Sequence, residues 1–138
     1  MVLAAGSAAG ENTAEDRADR ATFEAICGSC HATSLVEGLR TEAEWRDEVA
    51  QMVKIGARGT DAQFQRVFRV LARTLSKVNV NTATSGEIAA ALDLSDGAAE
   101  AIVKRRVEKG KLQKLDELLQ IPGLDAHKLE QRKERILF

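Results

Sequence analysis

The sequence predicts an all-α chain made of two consecutive helical units, the first small and the second built from short paired helices. Three observations carry that expectation. Apolar residues recur at i, i+3 and i+4 through most of the chain, the spacing of one helix face. A Thr-x-x-Glu/Gln box, the pattern that satisfies two unpaired N–H groups at a helix start, occurs at Thr41-Glu44, Thr60-Gln63 and Thr84-Glu87. Proline occurs once, tyrosine is absent and aromatics make up 4% of residues, a composition poor in strand formers.

Residues 1–13 read as a disordered start or as the remnant of a secretory signal. They are small and weakly apolar, and a basic leader region is missing. A first helix is expected from Ala14 to about Cys27, with Phe23, Ile26 and Cys27 on one face. Residues 28–40 contain Gly, Ser, His and Thr and read as a loop. The helix after Thr41 carries Trp45, Val49, Met52, Val53 and Gly56 along one stripe, and Gly56 and Gly59 stop it. The helix after Thr60 presents Phe64, Val67, Phe68, Leu71 and Leu75, and runs to about Ser76.

The second unit begins almost without a linker, which is Lys77 alone, so a fixed orientation on the first is expected. Val78 to Thr84 is a short extended entry. A helix carrying Ile88 and Leu92 follows, then one capped by Ser95 with Ala99, Ile102, Val103 and Arg106, ending at Gly110. A short helix at Asp116–Gln120 is broken by Pro122-Gly123, and Asp125 caps a last helix expected to reach about Leu137.

Chemistry concentrates in Cys27-Gly28-Ser29-Cys30-His31. This is the C-x-x-C-H pattern of covalent c-type haem attachment. At a helix end both thiols reach the haem vinyl groups from one face, and the imidazole turns beneath the iron. Besides a chance occurrence, two other readings exist for the pair of cysteines. A thioredoxin-like site expects a βαβ pattern, which is missing, and a zinc site needs further thiols, of which there are none. His31 is thus the expected iron ligand and one covalent haem c the expected cofactor. Opposite it stands Met52, the sole methionine after Met1; His127 lies in the other unit. Met52 as a core gap-filler, Lys54 as the ligand and an open iron are the alternatives. His/Met ligation raises the reduction potential and leaves no open position for substrate, which points to a carrier and not an enzyme. Trp45 is a further expected haem contact, its indole N–H directed at a propionate, with Arg40 or Arg58 as surface charges nearby.

Residues 14–77 resemble the small single-haem class I cytochrome c domains. The resemblance rests on the attachment motif at a helix end, the Trp45-to-Met52 stripe, the Gly56-Ala57 stop and the Phe-bearing last helix. It implies that the first and last helices cross, with Phe23 and Phe64 or Phe68 at the crossing. A unit this small needs the haem to complete its core.

Residues 78–138 resemble the tandem helix-hairpin-helix domains of the ComEA type. The matching stretches are Val78-Asn79-Val80-Asn81-Thr82-Ala83, Ala99-Glu100-Ala101-Ile102-Val103, Leu115-Asp116-Glu117-Leu118-Leu119 and Ile121-Pro122-Gly123-Leu124. In DNA-binding members each hairpin has a Gly-hydrophobic-Gly turn whose N–H groups hold a phosphate. Here the turns are Asp93-Leu94-Ser95 and Gly123-Leu124-Asp125, with three of the four glycines gone. The unit holds ten Lys or Arg against ten Asp or Glu, without the basic excess of a DNA binder. Lys104-Arg105-Arg106, Lys109 and Lys111 form its only basic run.

The leading expectation is a periplasmic or otherwise extracytoplasmic electron carrier that serves a redox partner such as a dehydrogenase, with the hairpin unit as its docking part. A haem-bearing DNA-binding module is the alternative, with DNA disfavoured as a partner. A haem enzyme or gas sensor ranks below both. No membrane span is expected, since no stretch nears the ~20 apolar residues required.

Overall fold

The computed structural model describes residues 13–138, so the expectation for the first thirteen residues falls, Thr13 apart, outside what is described. The described chain is mostly helical, as expected. Helix α1 spans Ala14–Cys27, α2 Glu42–Lys54, α3 Asp61–Leu75, α4 Ser85–Leu92, α5 Asp96–Lys109, α6 Leu115–Leu119 and α7 Ala126–Gln131. Each of the three Thr-x-x-Glu/Gln boxes closes both of its hydrogen bonds. A fourth box, Thr13 with Asp16, starts α1; an aspartate stands there in place of the longer acid.

Two apolar clusters organise the chain. The first joins Phe23 and Ile26 of α1, Trp45 of α2 and Val67, Val70 and Leu71 of α3, with Cys27, Phe64 and Phe68 packed partly buried against it. Helices α1 and α3 form its main contact, the expected crossing. The second cluster is twice as populous and includes Val80, Ile88, Leu92, Ile102, Leu112, Leu118 and Leu129.

The end of the chain departs from expectation. No helix reaches Leu137; α7 stops at Gln131, a 3-10 turn covers Lys133–Arg135, and Ile136–Leu137 is a strand, β2. It pairs in parallel with β1, Val78–Asn79, in the register Val78 to Ile136 and Asn79 to Leu137. Burial drives the change: Ile136 is buried in the second cluster beside Val78, and a strand places it there while its backbone N–H and C=O groups stay paired. Asn81 holds the unit from inside. Its side chain donates to the Leu112 carbonyl and accepts from the Leu112 N–H, both at 2.8 Å.

α1 and α3 are joined by charge as well as by apolar contact. Asp19 is fully buried and accepts hydrogen bonds from three arginines of α3: Arg66 at 3.2 Å, Arg69 at 2.9 and 2.7 Å, and Arg73 at 3.1 Å. The Arg69 guanidinium, with Arg73 beside it, holds the carboxyl below the usual carboxylate range despite burial. Every oxygen of this buried charge is thus compensated, the condition under which such a group is tolerated.

Candidate haem-attachment site and the hairpin turns

The motif sits where α1 ends. Gly28 caps the helix, its N–H donating to the Glu24 carbonyl at 2.9 Å. A Cβ at this position would lie 2.2 Å from that same carbonyl oxygen, so a side chain after Cys27 would force this tight turn to shift. Ser29 then donates its hydroxyl to the Ile26 carbonyl at 2.7 Å. The turn leaves Cys27 half-buried against the first cluster, with Cys30 and His31 exposed. Both cysteines are free thiols. Burial, and secondarily the Glu24 carboxylate, push the Cys27 thiol up. A redox-active C-x-x-C cysteine needs the opposite shift.

His31 Nδ1 lies 3.2 Å from the Ala32 carbonyl. A carbonyl only accepts, so a bond there puts the proton on Nδ1 and leaves the lone pair on Nε2. The loop beyond is tied back to α1: Thr33 donates its hydroxyl to Glu24 at 2.6 Å. That bond brackets Cys30 and His31 between two anchored points.

The stripe on α2 emerges from the core as it runs. Trp45 is buried, Val49 and Met52 are half-buried, and Val53 is exposed. Leu35 and Ile55 are 68% and 78% exposed. Trp45 is placed differently from the expectation. Its indole N–H donates to the Leu75 carbonyl at 3.0 Å, and Arg40 stacks over the ring at 4.7 Å. The indole hydrogen is therefore committed to the last turn of α3, not directed at a propionate. Gly59 packs tightly between the end of α1 and the start of α3, since a Cβ there would meet Ile26 at 2.9 Å and Phe64 at 3.2 Å. A groove of about 520 Å³ between α2 and α3 is lined by Trp45, Arg46, Phe64 and Phe68. The attachment residues and Met52 do not line it. Among the described residues no three His, Cys, Asp or Glu side chains gather to hold a bare metal ion.

In the second half, the first hairpin turn places Asp93 in the left-handed region, with φ at 53°. It is the only described non-glycine residue with positive φ. Lys128 of α7 grips it twice, at the backbone carbonyl and at the carboxylate, both at 2.9 Å. Part of the basic run is turned onto the unit itself. Arg106 donates to the Val80 and Ala83 carbonyls, Arg105 to the Gly110 carbonyl, and Lys104 pairs with Glu108. None of this was visible in the sequence, which gives charge but not partner.

No helix among the described residues is long and apolar enough to cross a membrane. No solved structure matches the chain. One curated relative, an uncharacterized protein of Haemophilus influenzae, is 38% identical over 63 residues, or 45% of this chain. The chain spans little more than half of that relative's length, 56%. Residues 74–137 match the helix-hairpin-helix motif family, and the paired hairpins α4–α5 and α6–α7 on one apolar core are the structural counterpart of that match.

Proposed function

We propose that the chain is an extracytoplasmic electron carrier with one haem c joined through thioethers to Cys27 and Cys30, and that its helix-hairpin-helix unit docks a redox partner protein. The observation that carries this reading is the C-x-x-C-H turn at the end of α1, with Cys27 against the core and Cys30 and His31 outside it. The residues fit such a group in three ways. The two cysteines flank the tight turn at Gly28, and neither is in a disulfide. His31 is oriented by its Nδ1 contact so that Nε2 is free to ligate. Leu35, Val53 and Ile55 present large apolar side chains to solvent in the segments next to the motif and next to Met52, which an apolar group would cover.

Bound there, a haem supplies reversible one-electron transfer. His31 and the Met52 thioether would hold the iron, and the soft sulfur would favour the reduced state. Leu35, Val53 and Ile55 would exclude water from the site. With His31 and Met52 both holding the iron, the chain would carry electrons and leave no place for a substrate to bind.

Expression in a bacterial host with a haem-attachment system tests the proposal. The expected product keeps its haem through denaturing electrophoresis and acid extraction. Cys27→Ala and Cys30→Ala each lose one thioether, and the double variant holds no covalent haem. A purified chain with both thiols free, from a host that matures other c-type proteins, would overturn it.

A second reading, nucleic-acid binding, rests on the helix-hairpin-helix match. Against it stand Asp93 in the first turn, the lysine that occupies that turn, and the basic side chains already bound to their own unit.

A further inference from the structure

The last turn of α3 is held almost entirely by residues outside it. A helix leaves its final four carbonyls without intrahelical partners. The Arg73 carbonyl accepts from Arg135 at 2.9 Å and from Arg132 at 3.3 Å; the Thr74 carbonyl accepts from Arg135 at 2.6 Å. The Leu75 carbonyl accepts from the Arg40 N–H at 3.1 Å and from Trp45. Arg132 also donates to the Ala91 carbonyl near the end of α4, so one guanidinium bridges the two helix ends.

Two arginines of the hairpin unit therefore cap a helix of the other half. A guanidinium is well matched to such a cap, because it is planar, offers several donors, and stays charged at any relevant pH. Its charge also opposes the negative end of the helix dipole. The connection continues past the cap. The Arg73 side chain reaches Asp16 at 3.2 Å and Asp19 at 3.1 Å on α1, the helix that ends in Cys27. The first cluster has six buried residues and the second has twelve, so the smaller half has less apolar burial of its own to rely on.

We propose that the hairpin unit is a brace for helix α3: Arg132 and Arg135 set the local stability of α3, and through Arg73 that of the α1–α3 pair presenting Cys27 to His31. The hairpin unit depends less on α3 in return, because α5 and most of the second cluster pack in their own larger core. This inference does not rest on haem binding, and its test needs none.

Hydrogen exchange by mass spectrometry on the full chain reads α3 and the hairpin unit separately. In Arg132→Gln/Arg135→Gln, amides of residues 67–76 should lose at least tenfold in protection, and the Trp45 emission transition should come at lower denaturant. Amides of α5, whose carbonyls neither arginine caps, should keep most of theirs. Unchanged protection in 67–76 would overturn the brace. Should protection fall alike everywhere, Arg135→Lys decides, since it keeps the charge and gives up the fork. Loss confined to α3 supports the proposal; wild-type protection throughout sinks it.

Discussion

Trp45 and Leu75 are joined across thirty residues by one hydrogen bond, indole N–H to carbonyl, at 3.0 Å. The bond ties α2 to the end of α3, and it makes the chain's single tryptophan a reporter for that junction. Trp45→Phe keeps most of the buried ring and removes the donor. The expected loss is about 1–2 kcal/mol, a net hydrogen bond plus some packing. A urea titration followed by circular dichroism measures it. A midpoint equal to wild type would mean that the Leu75 carbonyl finds another partner at no cost.

Asp19 gives the stability a definite pH dependence. Its folded pKa is depressed by Arg69 and Arg73. A depressed carboxylate contributes stability that is present above its unfolded pKa, about 3.9, and is lost as pH falls through the lower folded value. The α1–α3 pair should therefore hold steady near neutrality and weaken below about pH 4. Asp19→Asn should flatten that acid limb and cost about 2–3 kcal/mol at pH 7; the figure is held down because the arginines reach solvent. Thermal melts across pH 3 to 7 on both chains check the sign. An acid limb unaltered by the substitution would assign it to other carboxylates.

Met52 is the proposed second iron ligand. In the haem-loaded protein, Met52→Ala should lose the far-red methionine–iron charge-transfer band and gain affinity for carbon monoxide, with a lower reduction potential. Absorption spectra of the oxidised form and a carbon monoxide titration of the reduced form settle the point. If both spectra match wild type, Met52 is a packing residue.

Nucleic-acid binding predicts a steep salt dependence, because each neutralised phosphate releases counterions. The ten basic and ten acidic side chains of residues 78–138, and Lys128 on Asp93, predict the opposite. The full chain should bind duplex DNA no better than a generic weak binder, with a shallow slope of log affinity on log salt. Tight binding with a steep slope would favour the second reading over docking of a protein.

Much of the helical layout was legible because it is local. Thr41, Thr60 and Thr84 each announce a helix start with a partner three residues on, and the Phe64-to-Leu75 spacing shows which side of α3 turns inward. The Cys27-to-His31 pattern is legible for the same reason, as five consecutive residues. Long-range partnerships were not. Asp19 finds its arginines 47 to 54 positions away, and nothing in its neighbourhood distinguishes it from a solvent-facing acid. The β1–β2 pair is two residues long on each side, too short for alternation to show. Ile136 and Leu137 consequently looked like the continuation of a helix. Trp45 was assigned to the right face and the wrong acceptor, since a stripe gives the direction of a ring but not the partner of its N–H.

The parallel pairing of Val78 with Ile136 brings the entry and exit of the hairpin unit side by side. A segment whose two ends meet is a cassette: it can be added to a chain without pulling its neighbours apart. Its exit also lies close after Arg135, at the seam with α3. A fluorophore at the exposed Leu137, two residues from Arg135, would serve as a local probe of that seam.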